Sequence, residues 1–298
     1  MRESTRRLFR LHGWRIDRAL HGYVYYRWID RYIKTLMAIA RRYVRLFPRG
    51  RFIFDFFFNR YHCKVLTEEQ AAKILTLDHD VIMDPELSAR VVPFPHAHRI
   101  ILDQPQHIVA MDCACRIEKG VADPEALNVC LAVGEPVASF WLEHGAERLH
   151  ARRVSATEAL EILHRERERG SVPTAWFKDA AGDRFFAICN CPPSYCDALE
   201  SARLARALRV ESPPVIAAPS GYLAVIDRAA CAGCGACVEA CPFGALSLDG
   251  EEKALVSFDL CMGCGLCAER CEWGVPSLTR DERKGIPLDI DELALLRR

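Results

Sequence analysis

Cys231-Ala232-Gly233-Cys234-Gly235-Ala236-Cys237-Val238-Glu239-Ala240-Cys241-Pro242 and Cys261-Met262-Gly263-Cys264-Gly265-Leu266-Cys267-Ala268-Glu269-Arg270-Cys271-Glu272 write one pattern twice, 30 residues apart. An internal repeat this rich in cysteine outweighs every other feature of the chain. Three thiolates at three-residue intervals on a tight loop can cap three irons of one cubane. Gly233, Gly235, Gly263 and Gly265 let the backbone bend around it, and the loop N–H groups can point at sulfur. The fourth cysteine of each half leads away from its own loop and reaches the other cubane. Cluster I therefore takes Cys231, Cys234, Cys237 and Cys271, and cluster II takes Cys241, Cys261, Cys264 and Cys267. Zinc sites use two Cys-x-x-Cys pairs instead of two triplets with an outlying fourth.

With these motifs, residues 221–280 resemble the dicluster ferredoxins. The resemblance implies a pseudo-twofold fold and single-electron transfer through two neighbouring [4Fe–4S] clusters. One departure is that Glu272-Trp273 follows Cys271 where Pro242 follows Cys241, and the acidic Glu272 is expected to lower the potential of cluster I.

Working toward the N-terminus, two Cys-x-Cys motifs stand in the middle: Cys113-Ala114-Cys115-Arg116 and Cys189-Asn190-Cys191. Both fall on or at the end of expected strands, where alternation puts both thiols of a pair on one side. Convergence of Cys113, Cys115, Cys189 and Cys191 would make a third metal site, [4Fe–4S] or zinc. Cys130 and Cys196, placed on expected helices nearby, are further candidates, and Arg116 would offset thiolate charge. Read blandly, these are buried cysteines acting as small hydrophobes. Residues 61–286 are also similar to a group of dicluster-domain proteins of anaerobic bacteria that share a Cys-x-Cys-Arg stretch, a Cys-Asn-Cys stretch and the ferredoxin tail. Their second stretch is usually richer in cysteine than Cys189-Asn190-Cys191-Pro192-Pro193-Ser194-Tyr195-Cys196. Cys63 has no partner by spacing and reads as structural. His96 and His98 read as ordinary polar residues.

The fold class expected is α+β, in four parts. These are a basic, aromatic-rich helical extension (1–64), a mixed α/β, winged-helix-like middle domain (65–212), the dicluster domain (213–280) and a tail (281–298). A helix runs from Tyr23 to Phe47. Thr67 opens a short helix to Leu75, His96–Leu102 and Pro124–Leu131 are helical, and 108–115 is a strand. Ser155 with Glu158 opens a helix to Arg169, strands follow at Thr174–Lys178 and Arg184–Asn190, and Cys196–Arg209 is helical before a linker at Ser212-Pro213-Pro214.

Net charge is zero across 298 residues, yet residues 1–64 hold 16 Lys/Arg against 4 Asp/Glu, leaving the remainder at −12. Such a basic arm suits an anionic surface: peripheral contact with the inner membrane face, or packing of its aromatics on the protein body. Thr5-Arg6-Arg7-Leu8-Phe9-Arg10-Leu11 looks like an export signal, but charged residues follow where an apolar region belongs, so a cytoplasmic location is expected. Fifteen cysteines clustered at short gaps read as metal ligands instead of a disulfide framework. No Gly-x-Gly-x-x-Gly, P-loop or Gly-x-Ser-x-Gly motif occurs, so electrons come from and go to partner proteins. The leading expectation is an electron carrier or redox subunit of an anaerobic oxidoreductase, with no catalytic residue of its own. The rivals are an enzyme with a substrate-binding middle cluster, and a redox-sensing DNA-binding regulator.

Overall fold

The computed structural model describes every residue except 51, 58, 59, 95, 193, 212–214 and 296–298. The expected linker Ser212-Pro213-Pro214 and Phe58 of the aromatic run thus lie outside the described residues. The architecture is α+β, ending in the dicluster domain.

Three helices open the chain: α1 (Glu3–Leu11), α2 (Ile16–Arg27) and α3 (Ile29–Leu46), followed by the short α4 (Phe52–Phe57). The expected single helix from Tyr23 is broken at Trp28, whose φ of −132° is not helical. Ile29, Ile33, Met37 and Ala40 form one buried stripe of α3, at the spacing of a single helix face. Leu8, Tyr25, Tyr26, Ile29, Ile33 and Met37 share one hydrophobic core with the central sheet. These helices are therefore packed on the body.

The sheet has seven strands in the order β6-β4-β5-β8-β7-β1-β9. They are β1 (Tyr61–Val65), β4 (Ile108–Asp112), β5 (Asn128–Val133), β6 (Arg152–Val154), β7 (Val172–Lys178), β8 (Arg184–Cys191) and β9 (Ala217–Ala218), all antiparallel except β1 with β9. A side ribbon pairs β2 (Val81–Ile82) with β3 (Ile101–Leu102). The helices between are α5 (Glu68–Leu75), α6 (Pro85–Val91), α7 (Ala114–Glu118), α8 (Pro124–Leu127), α9 (Val137–Gly145), α10 (Ala156–Glu168) and α11 (Asp197–Arg206).

Local capping signals were legible. Thr67 and Gln70 close a reciprocal capping box at α5, and Ser155 Oγ accepts Glu158 N at α10. Three expectations need correction. Residues 96–102 are not helical: Ala97 has φ 57°, Arg99 exchanges backbone hydrogen bonds with Asp183 and Phe185, and Ile101 pairs with Ile82. The helix at Asp123-Pro124 lasts one turn, because the apolar run Val129–Val133 is drawn into the sheet between β4 and β8, and this puts Cys130 on a strand. The strand from Ile108 ends at Asp112, so Cys113 caps α7 and Cys115 lies within it. The helix-then-hairpin unit is present as α10-β7-β8. However, β7 is buried along its whole length between β8 and β1 and leaves no exposed wing.

The tail pairs β10 (Tyr222–Ile226) with β13 (Pro276–Arg280) and β11 (Leu246–Leu248) with β12 (Ala254–Val256). Between them lie α12 (Ala236–Ala240) and α13 (Leu266–Glu269), and α14 (Ile290–Leu295) follows. Met262, Cys264 and Leu266 join the main core, whereas Cys237, Cys261 and Cys267 belong to the tail's own small core. Among the described residues, no helix is long and apolar enough to cross a membrane.

Candidate metal centres

In the tail, each half bends at glycines held in the left-handed region. Gly235 (φ 77°) and Gly265 (φ 83°) occupy the N-caps of α12 and α13. At Gly263 (φ 67°) a Cβ would lie 2.2 Å from Tyr222 O, so backbone approach as well as conformation demands glycine there. Ser220 ties the second loop to the body, its Oγ donating to Gly263 O at 2.7 Å and its N to Met262 O at 3.0 Å. One cavity is lined by Cys231, Cys234, Cys237 and Cys271, and another by Cys241, Cys261, Cys264 and Cys267. Backbone N–H groups already aim at sulfur: Ala245 N donates to Cys241 Sγ at 3.3 Å and Ala254 N to Cys231 Sγ at 3.5 Å. The donor set, the bends and the aimed N–H groups fit an anionic cluster in each cavity.

The two cavities differ in exposure. Cys234 is exposed, and Trp273 beside it is 67% exposed, whereas Cys261, Cys264 and Cys267 are buried. Burial pushes the Cys264 thiol up to about 11 and Cys267 to about 12, while the N–H bond from Ala254 holds Cys231 below the usual thiol range. Burial thus disfavours the thiolate forms of Cys264 and Cys267.

In the middle, Cys113, Cys115, Cys130, Cys189, Cys191 and Cys196 all line one cavity. Both paired motifs and both further candidates are brought together. Cys189 and Cys191 share a face of β8, Cys130 is the direct cross-strand partner of Cys189, and their sulfurs stand 4.0 Å apart. Cys113 and Cys115 come from the β4–α7 junction, and Cys196 from the N-cap of α11. Hydrogen bonds from Cys115 and Cys130, then burial opposed by Arg116, leave Cys113 well below the ordinary thiol range, while Cys115 and Cys130 are raised. Among the described residues, no group of three or more His, Cys, Asp or Glu is arranged to hold a single metal ion. Thiolates on one tetrahedral zinc stand about 3.8 Å apart all round, given Zn–S near 2.3 Å. A cubane carries its ligands on four separate irons and tolerates a wider ring.

The basin is roofed by α3, through Ile33, Leu36 and Met37, with Tyr61 and Trp176 stacked 4.3 Å apart on its wall. Arg41 of α3 clamps the rim, reaching Glu118 at 3.0 Å on α7 and Glu200 at 2.6 Å on α11. Cys63 is buried on β1, and burial raises its thiol.

Sequence reasoning missed how the middle basin meets the tail. Arg116, 4% exposed, pairs with the fully buried Glu166 of α10. The next residue, Arg167, is 2% exposed, donates to Cys264 O at 3.1 Å and pairs with Glu269. One helix thus touches the basin through Glu166 and the second tail loop through Arg167. A signal was present: Ala159, Ile162, Leu163, Glu166 and Arg167 fall on one stripe of α10, so two charged residues continue an apolar face.

Residues 230–275 match the family model of the 4Fe-4S dicluster domain. This segment is a 4Fe–4S dicluster domain, and it gives the chain an iron–sulfur electron-transfer role in general terms. No curated protein matches the chain.

Proposed function

We propose that the chain is an electron carrier or redox subunit with two [4Fe–4S] clusters in its tail and a third iron–sulfur site in the middle basin. Cys231, Cys234, Cys237 and Cys271 would hold cluster I, and Cys241, Cys261, Cys264 and Cys267 cluster II. When bound, such clusters supply single-electron steps that need no acid or base from the protein. The chain's own residues bend around the site, aim N–H groups at sulfur and exclude water to different degrees. Exposure of Cys234 makes the first cavity the face a redox partner reaches. Packing of Cys264 in the main core makes the second the inner station.

The observation that carries the third site is the convergence of six sulfurs on one cavity, joined to the second tail loop by Arg116, Glu166 and Arg167. Zinc is the alternative occupant, and iron–sulfur is preferred because the same chain carries a dicluster domain. A DNA-binding reading lacks support, because the hairpin that would form a wing is buried. The test is iron, acid-labile sulfide and zinc per chain, purified without oxygen. About twelve irons and no zinc supports three clusters, about eight irons with one zinc makes the basin structural, and fewer than about four removes the electron-transfer reading.

A peripheral membrane contact is a second proposal for residues 1–64. Ile16, Leu20 and Val24 are exposed at successive turns of α2, between exposed Trp14 and Trp28. An apolar stripe among arginines suits the interface of an anionic bilayer. Sedimentation with anionic vesicles should fall by at least about tenfold in Leu20→Glu, and equal binding of both proteins would remove it.

A further inference from the structure

Six thiols are two more than a cubane takes from its protein. We propose that the basin divides them: Cys113, Cys115, Cys191 and Cys196 hold the third cluster, while Cys130 and Cys189 form a redox-active dithiol that reduces a small disulfide. This rests on the third-site reading above.

The contacts support that division. Cys130 and Cys189 are a thiol pair in contact, their sulfurs 4.0 Å apart. Setting that pair aside leaves Cys113, Cys115, Cys191 and Cys196 on the same cavity, the four thiols a cluster takes from its protein. Cys130 and Cys189 are directly opposed on antiparallel strands. Opposed Cα atoms in such a pair stand about 4.5–5.5 Å apart, inside the range a disulfide spans. Their sulfurs, 4.0 Å apart, need only side-chain rotation to bond at about 2.0 Å. Cys189 is partly exposed and Cys130 is 6% exposed, so Cys189 is the attacking sulfur and Cys130 the resolving one. Size selection would follow from the roof: Ile33, Leu36 and Met37 cover the cavity and keep out a disulfide borne on a protein surface, so the substrate would be of low molecular weight.

The chemistry balances. Cys189 thiolate attacks one sulfur of the substrate, the S–S bond breaks, and the departing thiolate takes a proton. Cys130 then attacks Cys189, releasing the second thiol and leaving a Cys130–Cys189 disulfide. Two electrons from a low-potential one-electron carrier, which the dicluster domain would relay with its clusters bound, and two protons restore the dithiol.

The test uses full-length protein purified without oxygen and bis(2-hydroxyethyl) disulfide as probe. Intact mass should show one stable mixed disulfide on Cys130→Ser, mapped to Cys189, and none on the Cys130→Ser/Cys189→Ser double variant. Both single variants should keep about twelve irons while Cys191→Ser falls to about eight. Disulfide-dependent oxidation of reduced viologen should drop at least about tenfold in either single variant, with the EPR signals of the tail unchanged. A loss of iron in Cys130→Ser or Cys189→Ser matching that in Cys191→Ser would make the pair ligands and overturn the dithiol while leaving the third cluster standing. About eight irons in wild type and in Cys191→Ser alike would overturn the third-site reading and the dithiol with it.

Discussion

The tail and the middle basin both gather cysteines, and they do so by opposite means. In the tail, each triplet lies within seven residues of chain, and glycines in the left-handed region bend it into place. In the basin, six thiols arrive from the β4–α7 junction, two strands and the start of α11, across more than eighty residues. Local chain geometry makes one site and tertiary packing the other. A site of the first kind survives damage elsewhere, whereas one of the second kind depends on every element that frames it.

The sharpest way to break that contrast is at Arg116. Arg116→Met leaves Glu166 buried with only Arg169 and Ser171 beside it, and should cost about 3–5 kcal/mol. Thermal unfolding should fall by roughly 10 °C, with iron lost from the basin before the tail. Equal loss from both would show that the two sites are not independently built.

A smaller effect separates the glycines of the tail. Gly263→Ala drives a Cβ into Tyr222 O and should lose the second tail cluster with the basin intact. Gly235→Ala meets nothing nearer than Leu248 at 4.0 Å and pays only the left-handed strain, about 1 kcal/mol. Iron content and melting temperature of the two variants check this, and indistinguishable values would argue against backbone approach as the constraint.

The smallest effect probes the helices on the body. His21, bonded to Tyr32 at 3.1 Å, has its pKa pressed down to about 4, first by burial and then by Lys178. Between that value and the unfolded 6.5 the unfolded chain binds more protons, so stability is present above pH 6.5 and is lost as pH falls toward 4. The loss should be about 1–2 kcal/mol by pH 5, after allowance for partial exposure. Denaturant titration of wild type and His21→Gln across pH 5–7.5 tests this, and parallel curves would count against it.

The same contrast governs what the sequence alone makes legible. The tail motif was legible because its chemistry is written in adjacent residues. The capping signals at Thr67 and Ser155 were legible for the same reason. Cys113, Cys115, Cys189 and Cys191 could be nominated, but the strand at Cys130 could not, since the one-turn helix before it bears a strong start signal and only the sheet ends it. The roof was hidden too. A basic, aromatic segment looks like an appendage until Ile33 and Met37 are seen against a wall made 150 residues later.

That roof sets an order of events in the cell. Helix α3 leaves the ribosome well before Cys189 and Cys196 exist, and at roughly 5–20 residues per second it waits on the order of 10–30 s for its seat. During that interval the cavity it will cover has no finished wall. Once Arg41 bridges Glu118 and Glu200, α3 is tied to α7 and α11 over the basin. If the basin takes the third cluster proposed above, loading and closure compete: a chain that shuts first would be trapped empty, and delivery would have to come early or through a reopened α3.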